Sequence, residues 1–163
     1  MGKELVAQLR EKGFGVHYLT TSKNKIQHLA DYRGFFWDPS KNEIDTACFK
    51  DVQAIVNLAG ATIAKRWTPS YKKEIQQSRT GSLAMLKAGL AAVGDHQVEY
   101  LLSASATGIY PDSLTELYTE QTETSPKGFL AETVELWEAA AREFISTGIP
   151  TGILRIGLVL ARD

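Results

Sequence analysis

Cysteine is nearly absent: Cys48 is the one cysteine in 163 residues, so no internal disulfide can form. The three histidines, His17, His28 and His96, lie far apart in sequence, and no Cys/His group has metal-ligand spacing. A lone thiol fits a reducing, cytoplasmic setting. Long hydrophobic runs are also missing. No stretch approaches the roughly 18 apolar residues that span a bilayer, and the N-terminus reads as an amphipathic helix rather than a signal peptide. Nor does one sign of charge dominate, with 18 Lys and Arg against 19 Asp and Glu for a net charge of −1. That balance gives no electrostatic case for nucleic acid or an anionic membrane surface as partner. Repeats, low-complexity tracts and interdomain linkers are absent as well.

What remains is 44% hydrophobic and 23% charged, enough for one domain, 1–163, with a sizeable core. Helix-period and strand-like runs alternate. Lys3 to Lys12 puts Leu5, Val6 and Leu9 on one face and stops at Gly13. Gly15 to Thr20 reads as a strand, with loop and N-cap chemistry at Thr21 to Asn24 before a helix over Lys25 to Asp31. Arg33 to Asp38 and Ala54 to Leu58 are further strands, separated by a turn-rich connection. Thr68-Pro69 opens a long helix to Val93, with a bend expected near Gly81. Val98 to Ser103 is a strand, Pro111 to Gly128 a polar loop, Phe129 to Ser146 an amphipathic helix and Thr151 to Leu160 a last strand. The alternation predicts an α/β fold, a doubly wound parallel sheet of Rossmann-like type.

Ligands in such sheets sit beyond the carboxyl ends of the strands. Three polar clusters fall there: Thr20-Thr21-Ser22-Lys23, Asn57-Leu58-Ala59-Gly60, and Ser103-Ala-Ser105-Ala-Thr-Gly-Ile-Tyr110. Dinucleotide folds specific for NAD place an acidic side chain at the first of these positions to bind the ribose 2′-hydroxyl. Here stand hydroxyls and Lys23 instead, which suit a 2′-phosphate, so NADP(H) is expected ahead of NAD(H). Each cluster has a plainer reading as a strand end or solvated loop. Lys65-Arg66-Trp67 either lines the substrate cleft and favours an anionic group or is an exposed basic turn. Trp137 reads as core, and Glu116, Glu120 and Glu123 as a solvated face.

The ordered set Val56-Asn-Leu-Ala-Gly-Ala61, Arg66-Trp67-Thr68, Ser78-Arg79, Ser103-Ala-Ser-Ala106 with Gly108 and Tyr110, Phe129-Leu-Ala131, Trp137-Glu-Ala-Ala-Ala141 and Leu154 to Leu160 resembles the extended short-chain dehydrogenase/reductase superfamily. Within it, the chain is most similar to uncharacterised nucleoside-diphosphate-sugar epimerase-like proteins, over nearly its whole length. The resemblance implies that Asn57 to Gly60 lets backbone approach the adenosine and ribose, and that Ser103 lies on the cofactor side. It places Ser105 where the superfamily's serine hydrogen-bonds a substrate hydroxyl or carbonyl. The tyrosine and lysine of the superfamily's Tyr-x-x-x-Lys pair are missing, because the matching helix start reads Phe129-Leu-Ala-Glu-Thr133, although a one-residue shift changes these identities. Tyr110 is the candidate substitute hydroxyl, with core packing as the alternative. Arg79 falls about where the extended enzymes carry asparagine. It is expected either to hold a phosphate or carboxylate of the substrate or to pair with Glu74 or Asp51.

The resemblance also implies a strand and a Gly-x-x-Gly-x-x-Gly turn ahead of Lys3, with Gly2 as the last glycine holding pyrophosphate, and a small substrate lobe after Asp163. Relative to the family the chain reads as cut at both ends, whether as a fragment, through a displaced start or as a shortened protein. Lacking that strand, the sheet is expected to show a gap between the strands at Val16 and Ile55, with unpaired backbone on both sides and low stability. Two functions follow: an oxidoreductase or epimerase acting on a small-molecule sugar nucleotide or other hydroxyl metabolite, or a cofactor-sensing module without turnover. The resemblance further implies pairing of two copies as a homodimer through the two long helices.

Overall fold

A computed structural model describes residues 1–125 and 127–160. The chain order is α1 (Gly2–Glu11), β1 (Val16–Thr20), β2 (Tyr32–Asp38), β3 (Glu43–Ile44), β4 (Ala54–Asn57), α2 (Pro69–Val93), β5 (Tyr100–Ala106), α3 (Phe129–Arg142) and β6 (Thr151–Ile156), joined by short 3-10 turns. Local chemistry sets the helix ends. Thr68 Oγ1 accepts from Tyr71 N and Pro69 takes the first turn of α2, where a missing N–H costs nothing. Gly94, at φ 74°, ends that helix in a conformation most residues avoid. The helix is unbroken through Gly81.

The strands form two three-stranded sheets, β1-β2-β3 and β4-β5-β6. Pairing is parallel in β1–β2, β4–β5 and β5–β6, and β3 adds a two-residue antiparallel edge to β2. Among the described residues β1 pairs only with β2 and β4 only with β5, so each keeps one open edge, and the expected gap between these strands is present. One core nevertheless spans both sheets. Leu19 and Phe35 from the first and Ile55 and Ile153 from the second pack on a cluster containing Leu83, Leu86, Leu101, Trp137 and Phe144. Phe49, in the turn between the sheets, presses on α2 at Gly89, where a Cβ would stand 2.8 Å from the phenyl ring. Only glycine admits that approach.

Three expectations need correction. The helix over Lys25 to Asp31 is only a 3-10 turn, Lys23–Lys25. The Tyr18 hydroxyl donates to Lys25 O and accepts from Gln27 N, taking backbone groups a helix would have used. The last strand stops at Ile156 rather than Leu160, because its partner β5 ends at Ala106, opposite Ile156; beyond it Leu158 and Leu160 are exposed. β5 starts later than expected, at Tyr100, and runs to Ala106, since β6 pairs with it through Ala104 to Ala106. Among the described residues no helix is long and apolar enough to cross a membrane, and no group of three or more His, Cys, Asp or Glu could hold a metal ion.

Candidate functional site

In the β4–β5 ladder Asn57 pairs directly with Ser103, so the Leu58–Gly60 turn and the Ser105 segment leave the sheet side by side. Asn57 is buried and shapes its own turn. Its Oδ1 accepts from Ala59 N at 3.3 Å, and its Nδ2 faces Ser82 Oγ at 3.5 Å. Ser78 Oγ accepts from Ala61 N at 2.9 Å and fixes the far side of the turn. Leu58 reaches back to α1, where its Cδ1 lies 3.9 Å from the position of a Cβ on Gly2. The fold thus brings together Gly2 and Leu58, two residues with the whole of the first sheet between them in sequence. The first turn of α1 has no side-chain cap, which leaves its N–H groups open.

At the end of β1, Thr20 Oγ1 accepts from Ser22 N at 3.2 Å and tightens the turn. Thr21 is exposed, Ser22 half-buried, and the Lys23 ammonium lies 5.0 Å over the Phe36 ring. No carboxylate stands within this cluster.

The end of β5 holds the most polar part of the interior. Ser103 is fully buried and its hydroxyl donates to Ala104 O. Ser105, also buried, donates to Glu138 Oε1 at 2.7 Å. Glu138 is 1% exposed, yet three side chains satisfy it: Ser105, Arg155 through Nε and Nη2 at 2.8 and 3.0 Å, and Arg142 at 2.6 Å. Burial works to raise the pKa of Glu138. The hydrogen bonds from Arg155 and Ser105, with the charges of Arg155 and Arg142, outweigh it and hold the carboxyl below its ordinary value. Arg155 is pushed above its ordinary value, chiefly by the Glu138 hydrogen bond. Its Nη1 donates to the Tyr110 hydroxyl at 2.6 Å, while Tyr110 donates to Thr119 O at 2.9 Å and stacks on Tyr118. Ser105, Glu138, Arg155 and Tyr110 are therefore one continuous network.

Phe129 and Thr133 occupy the start of α3. The Phe129 ring packs against Trp67 and beneath Lys72, and Thr133 Oγ1 donates to Phe129 O, so neither supplies a titrating group. Arg66 lies in an exposed turn. Arg79 is paired with neither Glu74 nor Asp51; it donates to Ile75 O and Ala61 O.

Glu138 and Arg155 escaped the sequence reading as site residues. The available signal was a charge inside each of two apolar stretches, Trp137-Glu-Ala-Ala-Ala141 and Ile153-Leu-Arg-Ile156, with opposite signs. Charges are rarely buried unless paired.

Parallel strands with small residues turning at adjacent ends, and polar groups gathered beyond them, are the layout of doubly wound α/β folds, which hold ligands beyond the carboxyl ends of their strands. Residues 1–145 match the NAD dependent epimerase/dehydratase family, and the chain belongs to it. It is 37% identical over 164 residues to an epimerase family protein of Staphylococcus haemolyticus, and 42% identical over 164 residues to one of Staphylococcus saprophyticus. Each comparison covers 100% of this chain and 53% of the relative, so the chain spans about half the length of the curated relatives it matches. Among solved structures, a nucleoside-diphosphate sugar epimerase from Corynebacterium glutamicum superposes with a TM-score of 0.76 at 28% identity, over 98% of this chain and 32% of that one. The human epimerase family protein SDR39U1, solved with NADPH, shares the fold with a TM-score of 0.75 at 23% identity, over 99% of this chain and 52% of that one.

Proposed function

We propose that this chain carries the cofactor-binding and reacting part of an NADP(H)-dependent oxidoreductase or epimerase acting on a hydroxyl or carbonyl of a sugar nucleotide or similar metabolite. The observation that carries the reading is the Asn57–Ser103 pairing, which sets a small-residue turn beside the Ser105–Glu138–Arg155–Tyr110 network. The residues suit a dinucleotide. Gly2 and Leu58 meet beside the open first turn of α1, fit for phosphate, and Asn57 to Gly60 offers backbone unobstructed by large side chains. Thr20 to Lys23 provides hydroxyls and an ammonium for a 2′-phosphate, and the human neighbour's NADPH agrees with that preference.

The nicotinamide would supply the hydride donor or acceptor. Ser105 already donates its one hydroxyl hydrogen bond to Glu138, so toward a ligand its oxygen is an acceptor, suited to orient a substrate hydroxyl. Tyr110 would exchange a proton with the substrate oxygen by releasing Thr119 O, and the Arg155 N–H aimed at the phenol oxygen faces the charge that develops there. Arg66 and Arg79 stand on the substrate side.

Titrating the chain with NADPH and NADH tests the cofactor assignment, and tighter NADH binding would sink the NADP(H) preference. Following NADPH consumption with a panel of carbonyl compounds and nucleotide sugars tests the reaction, with Ser105→Ala expected to lower turnover at least tenfold. The second reading, a binding module without turnover, is favoured by Phe129 and Thr133, which leave the start of α3 without a proton carrier. NADPH binding with no turnover of any panel member selects it.

A further inference from the structure

Arg79 lies under the turn that leaves β4. Its guanidinium donates to Ile75 O at 2.9 Å and to Ala61 O at 3.2 Å, and its Cζ is 5.1 Å from the Trp137 ring centroid. It also fills the space a side chain at position 60 would need, since a Cβ on Gly60 would stand 3.2 Å from Cζ. These partners are carbonyl dipoles and an aromatic face; none brings a negative charge. Among the described residues no carboxylate pairs with this arginine. The contrast with Arg142 and Arg155 is direct, because both pair with the Glu138 carboxylate. Burial lowers the pKa of Arg79, as expected of a cation whose lost hydration has not been replaced. A half-buried charge left with dipoles alone stays costly until an anion joins it.

Trp137 supplies a second observation. It is 7% exposed, and its indole N–H is buried with no acceptor. A buried donor with no partner calls for a missing group. An arginine with no carboxylate and an indole N–H with no acceptor are thus neighbours, and the arginine lies against the Gly60–Ala61 turn. The wider segment agrees, for residues 61–80 hold the cations Lys65, Arg66, Lys72, Lys73 and Arg79 against one carboxylate, Glu74, in a chain whose net charge is −1.

We propose that Arg79 is the counter-ion for a carboxylate or phosphate group of the ligand, seated against the Gly60–Ala61 turn beside Trp137. This rests on the reading of the β4 and β5 ends as the ligand site, and it narrows the substrate to an anionic one. The remaining N–H groups of Arg79 can bind two oxygens at once, whereas a lysine there would offer only a point charge.

The test is calorimetric titration with inorganic phosphate and, separately, with acetate at constant ionic strength, on the wild-type chain, Arg79→Gln and Arg79→Lys. Saturable binding of one anion is expected, weakened at least tenfold in Arg79→Gln and less in Arg79→Lys, with the preferred anion identifying the ligand group. Circular dichroism confirms that each variant is folded, and Arg79→Lys keeps the test open should Arg79→Gln unfold. No saturable binding of either anion, or equal affinity in all three proteins, overturns the proposal. NADPH titration of the same samples separates this outcome from failure of the cofactor assignment, since NADPH binding without an anion response sinks only the role given to Arg79.

Discussion

The two sheets use the same α/β grammar but differ in how they are held. In the β1–β3 sheet every residue of β1 is half-buried, α1 buries none of its residues, and the Arg10–Asp31 ion pair lies in the open. In the β4–β6 sheet Leu101 is fully buried, Leu83 and Phe144 close over it from the helical layer, and the ions Glu138 and Arg155 are enclosed. The difference divides labour. A well-packed sheet fixes the groups proposed for chemistry to within a narrow geometry. A looser sheet carries the Thr20–Lys23 turn, the group proposed to meet the 2′-phosphate end of the cofactor. Leu19, Ile55 and Phe49 join the two through a shared core.

That contrast can be broken most directly by matched truncations. Phe144→Ala should cost about 3–5 kcal/mol, whereas Leu9→Ala on α1 should cost less than about 1 kcal/mol because little packing is lost, as urea unfolding of both variants would show. Equal losses would mean that the sheets are equally packed. Glu138→Ala should be as damaging, at about 3–5 kcal/mol, because it strands Arg155 in the interior. The wild-type contribution carries a sign that can be checked. Since folding depresses the pKa of Glu138, its stabilisation is present above the ordinary glutamate range, near about 4.3, and is lost as pH falls through the lower folded value. Urea midpoints taken between neutral and acid pH should therefore fall more for wild type than for Glu138→Ala. Hydrogen exchange sharpens the comparison further: amides on the open edges of β1 and β4 should exchange faster than those of β5, which is paired on both sides. The smallest effect is expected from Arg10→Ala, which breaks an exposed ion pair and should leave the melting temperature unchanged within error in a thermal scan.

Much of this was readable in the chain. α2 begins where Thr68-Pro69 places it and ends at Val93 as expected, the parallel pairing followed from the α/β alternation, and the gap between β1 and β4 followed from the resemblance. What could not be read were choices made by distant partners. Tyr18, on β1 seven residues before Lys25, turned Lys25 to Asp31 from helix to turn through two hydrogen bonds. The length of β6 was set by where β5 stops. At the site, Asn57 to Gly60 and Ser105 were legible because strand ends carry ligands, but Glu138 and Arg155 each look like ordinary helix and strand charges until folding places them 2.8 Å apart. Arg79 was legible as a cation, not as one without a carboxylate.

Tyr110 and Arg155 also act on the long polar loop between β5 and α3. Tyr110 donates to Thr119 O, and Arg155 reaches Glu120 O at 3.4 Å. The loop is thereby leashed near its midpoint to the buried ion pair and behaves as two short arcs rather than one long one, each with a smaller closure entropy. Insertions should be absorbed within either arc, while the tether at Thr119 and Glu120 makes loop position a readout of whether Arg155 and Glu138 are still joined.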